Sequence, residues 1–309
     1  MLRPRLFLGV STLFSLALLA GSPAGAGAAS RLARIDALFG ADAASDAAVL
    51  VANLNGGVQI YPASLHAKNP RAFGLITDGA PRPSGLWVDG RKNLYVVNNN
   101  SVNGSFVSVY RHGAFHPFRS ITQGLYAPGH VAVGRDGAVY VTDYQSGFNV
   151  IRVCAPGSNK LARNINVLVK SRGNGIGGLA FDLHGNLLVG EFSIETQKGQ
   201  VYRVDPHSGA VNSLNLQDVG GAAIAIDGSE NLYVGDIGGA VQVYPPGSKT
   251  PSRSMPAGGY IFGMTATPNG TVYAVSYYSG MFEYAPGATG PTNTFQDQSA
   301  MDAALTTMR

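Results

Sequence analysis

Six oxygen-bearing residues recur along the chain at intervals of 45, 45, 48, 45 and 40 residues: Asn53, Asn98, Asp143, Glu191, Asp236 and Ser276. Each closes a short apolar run (VLVAN, LYVVN, VYVTD, LLVGE, LYVGD, VYAVS). A hard cation such as Ca²⁺ takes about six to eight oxygen ligands, which makes Asn98, Asp143, Glu191 and Asp236 the candidate metal ligands and Ca²⁺ the candidate ion. The same side chains also cap loops by accepting backbone N–H bonds. Recurrence in nearly every unit favours capping, because a catalytic centre needs asymmetry and a structural cap does not. Glu191, the one longer acid of the set, breaks the symmetry and is a candidate catalytic group.

His130 is a second break. It opens the run HVAVG, whereas the corresponding runs GLWVD, GLAFD, AIAID and GMTAT open on Gly85, Gly178, Ala223 and Gly263. An imidazole in such a slot projects into room that the pattern otherwise leaves empty, which makes His130 the candidate general base or ligand contact. The alternative is an interior histidine bonded to a neighbouring carbonyl. Tyr144, Phe192 and Tyr277 directly follow members of the oxygen ring, and Asn99 follows Asn98 in the polar stretch NNNSVNGS (98–105). Aromatic faces beside amides and carboxylates suit a sugar or another small polar ligand; sealing the rim is their structural role. The other five histidines fall in turns, outer strands or polar loops, where solvation is expected.

Cys154 is the only cysteine, so an intrachain disulfide is excluded. It takes a slot that holds Tyr61, Tyr110, Tyr244 and Tyr284 in other units and reads as a packed thiol. No Walker loop, CxxC pair, HExxH helix or G-x-S-x-G elbow is present, and GNGIGG (173–178) leads into a strand where a nucleotide fingerprint requires a helix.

The elements that must position these residues are strands. Around each oxygen-bearing anchor lie an upstream small-apolar strand, a turn such as LHGN or PNG, and a downstream hairpin partner such as VQIYP, FVSVY or VQVYPPG. A weaker fourth strand follows (RAFGLIT, PFRSIT, AVNSLNL). A period of this length with strand patterning marks a repeat array in which no unit buries its own faces. Four strands in each of six repeats predict an all-β fold, a six-bladed β-propeller of four-stranded antiparallel blades. The first repeat lacks a convincing inner strand. The C-terminal AALTT (303–307) has the offset and character of GMTAT and is predicted to supply it, closing the ring; RLARIDALFG (31–40) is the competing donor.

Strand pairs of the form P-x-G-L-x-V-D, a Gly-Asn turn, L-Y-V-x-D/N and V-x-V-Y-x-P-G resemble the NHL-repeat and SMP-30/gluconolactonase-like propellers over residues 48–307. That group holds calcium-dependent lactonases, lyases and pure binding modules, so the resemblance implies a fold and leaves the activity open. A lactonase of this type implies a channel-lining Glu with an Asn and an Asp at non-equivalent blade positions. Glu191, Asn98 and Asp143 or Asp236 have the right types but share one equivalent position. The His-x-Glu pair of the lyases is absent, as are the Gly-His and Trp-Asp marks of WD40 propellers.

The bulk composition agrees with short strands and tight turns: 45% hydrophobic, 13% charged, with 41 glycines and 17 prolines. Residues 1–28 have the pattern of a secretory signal peptide: Arg3 and Arg5, the apolar run Leu6–Ala20, then GSPAGAGA. The run falls short of the roughly 20 residues of a spanning helix, so no stable membrane insertion is expected after cleavage. The expected organisation is a signal peptide (1–28), an N-terminal segment (29–46) and one propeller domain (47–309), exported to the periplasm or the extracellular space. Removing the leader lowers the net charge from +4 to +2 and leaves no basic run, which argues against a nucleic-acid partner. The expected function is binding of a small polar ligand or another protein at the channel mouth; the alternative is a Ca²⁺-dependent lactonase-type hydrolase using His130 and Glu191.

Overall fold

A computed structural model describes residues 47–63, 71–100, 104–145, 148–167, 174–193, 195–295 and 299–307. The signal-peptide expectation, the competing segment 31–40 and residues 101–103 of the polar stretch lie outside them. The described residues form six four-stranded antiparallel sheets, the blades of a six-bladed β-propeller. Blade 2 shows the plan: inner strand Pro83–Val88, second strand Leu94–Asn98, third strand Phe106–Tyr110 and outer strand Arg119–Ile121. The other inner strands are Pro128–Val133 (blade 3), Asn174–Phe181 (blade 4), Ala223–Ile226 (blade 5) and Ile261–Ala266 (blade 6).

Blade 1 is assembled from both ends of the domain. Its second strand, Ala47–Asn53, pairs with the C-terminal strand Ala300–Thr307 on one side and with Val58–Pro62 on the other. The predicted closure therefore occurs, with a strand that starts three residues earlier than the sequence suggested.

The core lies between blades. One apolar cluster joins Leu50 and Ile60 of blade 1 to Leu86 and Tyr110 of blade 2, and another joins Val97 and Val107 to Val131 and Cys154 of blade 3. Four more clusters fill the remaining interfaces and end where Val49 and Val51 meet Tyr273 and Met281 of blade 6. Alternation along a strand sends successive side chains to opposite faces, so each blade contributes to two cores and owns neither. Burying one Val, Leu or Ile is worth roughly 1.5–3 kcal/mol, and here that gain exists only with a neighbour in place.

Polar staples fix the stacking. Three inner-to-second turns repeat one arrangement: Asp89, Asp182 and Asp227 each accept two backbone N–H bonds, from the residues two and four positions on, and a third bond from Asn93, Asn186 or Asn231. On the third strands, Tyr110, Tyr244 and Tyr284 donate their hydroxyls to the carbonyls of Asp78, Gln217 and Pro256, in the chain leading out of the preceding blade. Cys154 sits fully buried in the equivalent slot of blade 3, and burial pushes its thiol pKa up, which keeps the nucleophilic thiolate scarce.

These tyrosines predict alkali sensitivity. Burial pushes Tyr95, Tyr110 and Tyr233 up to about 12, with Asp89 adding to the effect at Tyr95 and Asp227 at Tyr233. An unfolded tyrosine ionises near about pH 10. Their contribution is therefore complete below pH 10 and is lost as pH rises towards 12, because the unfolded chain gives up these protons first. Thermal midpoints measured across this range should hold steady to about pH 9 and fall steeply above about pH 10; a flat profile to pH 12 would contradict the buried, hydrogen-bonded tyrosines.

Candidate functional site

The inner strands surround a central channel, and at one end five of the six leave regular pairing with their second strands. Register shifts follow the pairs Pro83–Asn98, Pro128–Asp143, Ile176–Glu191, Ile261–Ser276 and Ala300–Asn53. A bulge adds a residue and re-aims its side chain. In blade 3 the shift spans Gly129 and His130, and the His130 N–H donates to Thr142 Oγ1 at 2.9 Å.

One residue inside the oxygen ring stand Gly85 opposite Val97, Ala223 opposite Gly235 and Gly263 opposite Val275; in blade 1 that position is Asp302, opposite Ala52. Counting along the sequence places Ala303 there. The true occupant is a buried carboxylate, 5% exposed. Asp302 Oδ2 accepts the Leu86 N–H of blade 2 at 2.8 Å, and Oδ1 accepts the Ala303 N–H at 2.8 Å. His130 Nδ1 lies 3.6 Å from the same Oδ2. A histidine of blade 3 and an aspartate of blade 1 thus meet across the inner strand of blade 2.

Glycine makes this meeting possible. A Cβ on Gly85 would sit 2.5 Å from the Gly129 oxygen and 2.8 Å from His130 Cα; one on Gly263 would sit 2.1 Å from Asp302 Oδ1. The glycine slots therefore hold the backbone or side chain of the next blade, where the sequence suggested empty room.

The channel contains a cavity of about 250 Å³ walled by all six inner strands. His130 and Asp302 are its titratable side chains, Trp87, Phe181 and Phe262 its aromatic ones, and most of the rest is aliphatic, glycine or alanine.

The oxygen ring does not converge on this cavity. Asn98 accepts the Arg82 N–H at 3.4 Å and donates to the Gly79 and Val96 carbonyls. Asp143, 1% exposed, accepts the N–H groups of Tyr126 and Ala127 and the Arg152 Nε–H at 2.9 Å. Glu191 accepts the Tyr202 hydroxyl at 2.6 Å; burial raises that phenol's pKa, and Glu191 raises it further. Asp236 accepts the Ala240 N–H at 2.7 Å. These four belong to four different blades, and among the described residues no three His, Cys, Asp or Glu side chains gather around a common point. Their donor atoms face protein N–H and O–H groups, an arrangement that does not fit a Ca²⁺ site.

The predicted aromatic residues divide. Tyr277 is half-buried and packs its ring edge-on against Phe262, which lines the cavity, at 5.8 Å, and against Tyr278 at 4.8 Å; Tyr260 joins the group. Tyr278 is 62% exposed. Tyr144 is exposed in blade 3, its N–H bonded to the Ala127 carbonyl beside the equally exposed Tyr126. Of the two, the blade 6 group is the one that packs on a residue lining the cavity. Phe192 packs on Gly175 within blade 4, and Asn99 is half-buried with its N–H donated to the Arg82 carbonyl.

Comparison with solved structures finds the propeller fold and nothing finer. Hydrazine synthase of Kuenenia stuttgartiensis superposes with a TM-score of 0.58 at 15% identity, covering 78% of this chain and 80% of that one. A Bacteroides fragilis protein named as a candidate 6-phosphogluconolactonase gives 0.58 at 12% identity over 84% and 98%. The WD40 β-propeller domain of Doa1 gives 0.55 at 10% identity over 84% and 83%. No protein family and no curated protein matches the sequence; the propeller fold is what these structures share with the chain, and membership of the NHL-repeat or SMP-30 group is not shown.

The Asp143–Arg152 pair anchors the 126–128 segment that leads into His130. Asp143→Ala leaves a buried guanidinium without this carboxylate and two backbone N–H groups without their acceptor, at a cost of about 3–5 kcal/mol. Urea denaturation should show that loss, whereas Asp143→Leu combined with Arg152→Met should recover only the part owed to the unpaired guanidinium, because the Tyr126 and Ala127 N–H groups stay without their acceptor. A single-variant cost below about 1 kcal/mol would be that of a solvated surface pair.

Proposed function

We propose that this chain is an exported, non-enzymatic propeller that binds a small polar ligand at the channel mouth bearing His130. The observation that carries the reading is the pairing of His130 with Asp302 on the wall of the channel cavity, among aliphatic, aromatic and small residues: a concavity with a small number of placed polar side chains is the usual make-up of a small-molecule site. The Tyr277 group beside that wall adds aromatic surface a ligand can pack on. Export rests on the pattern of residues 1–28. The lactonase-type alternative has weaker support, because its Glu, Asn and Asp donors are engaged by their own blades.

Trp87, the single tryptophan, lines the cavity and serves as a built-in reporter. A panel of monosaccharides and other small polar compounds, titrated against the protein, should include at least one that changes Trp87 emission saturably. His130→Ala should weaken that response by at least about tenfold, while calcium or a chelator leaves the melting midpoint unchanged. Ligands that bind by calorimetry with equal affinity to wild type and His130→Ala would move the site elsewhere, and a midpoint raised by calcium would favour the hydrolase.

A further inference from the structure

We propose that the channel cavity takes a small organic ammonium ion, held by the Asp302 carboxylate against the Phe262 ring. The proposal deepens the binding function above and rests on it. Around the cavity the six inner strands contribute His130 and Asp302 as titratable groups and no lysine or arginine. With the imidazole neutral, the wall carries one formal charge, and it is negative. Because Asp302 is buried, that charge acts at a dielectric below that of bulk water, attracting a cation, repelling a carboxylate and offering a neutral ligand no Coulombic gain.

The rest of the wall suits the same guest. Each inner strand is hydrogen-bonded in its sheet on one side only, so its free edge turns both backbone N–H and C=O groups towards the channel, and the carbonyls can accept from a hydroxyl or ammonium N–H of the guest. Phe262 offers an aromatic surface, and aromatic faces attract ammonium groups, most strongly when desolvated. A volume of about 250 Å³ holds about eight water-sized groups at roughly 30 Å³ each, enough for a trimethylammonium head and a short tail.

His130 borders the same carboxylate: its Nδ1 lies 3.6 Å from Asp302 Oδ2, and its backbone N–H is held by Thr142 Oγ1 at 2.9 Å.

Choline, its neutral isostere 3,3-dimethylbutan-1-ol and the anion 3,3-dimethylbutanoate, titrated against the full chain by calorimetry and Trp87 fluorescence at pH 8, test this. Choline should bind at least about tenfold more tightly than either isostere. Asp302→Asn should bring choline to the level of the alcohol. If Asp302→Asn fails to melt cooperatively, the three-probe comparison on the wild-type protein decides alone. An isostere that binds as well as choline overturns the ammonium assignment while leaving a ligand site at the mouth. No binding by choline overturns the proposal.

Discussion

No blade of this propeller can bury its own side chains, and the rest of the structure follows from that constraint. Six apolar clusters sit at six blade interfaces, each drawing residues from two sheets. An open arc would leave two of those half-cores facing water, together with a free strand edge, so the chain gains from bringing its ends together. It does so by placing Ala300–Thr307 inside Ala47–Asn53, which completes blade 1 and supplies the partner that both blade 6 and blade 2 require.

The channel pair is a by-product of that closure. Asp302 belongs to the clasp strand, receives an N–H from blade 2 and faces a histidine of blade 3. The alignment of three blades therefore decides whether the carboxylate and the imidazole meet. Gly85 and Gly263 allow the approach, because any larger residue would collide with blade 3 or with the clasp. The oxygen ring works outside the channel. Its members bind loop N–H groups, the Tyr202 hydroxyl or Arg152, and so hold the framework on which the channel residues stand.

Much of this was legible in the sequence, for a specific reason. In blades 2–6 the inner and second strands are joined by short turns, so counting from an anchor such as Asp143 finds the inner residue across the ladder, and His130 stood out against Gly85 and Gly263. Blade 1 has no such turn: its two strands lie at opposite ends of the domain, and their register follows from side-chain packing, which the chain order does not record. A one-residue error there turns Asp302 into Ala303 and hides half of the pair. The aromatic bank was half visible, with Tyr277 and Tyr278 in view and Phe262 missed, since it falls at a register shift that a strict alternation of strand positions does not anticipate. The division of labour between Glu191 and its ring was open because acids that cap and acids that coordinate look the same in one dimension.

The channel site depends most on the register of the closing strand, and cysteine cross-linking reads it directly. Leu50 pairs with Ala304, whereas Ala303 pairs with Val51 and belongs to the opposite face. Cys154, the native thiol, is buried and leaves the background quiet. Under mild oxidation, Leu50→Cys with Ala304→Cys should form an intramolecular disulfide, and Leu50→Cys with Ala303→Cys should stay reduced. Cross-linking of the second pair with failure of the first would slide the clasp by one residue, take Asp302 out of the channel and contradict the site built on it.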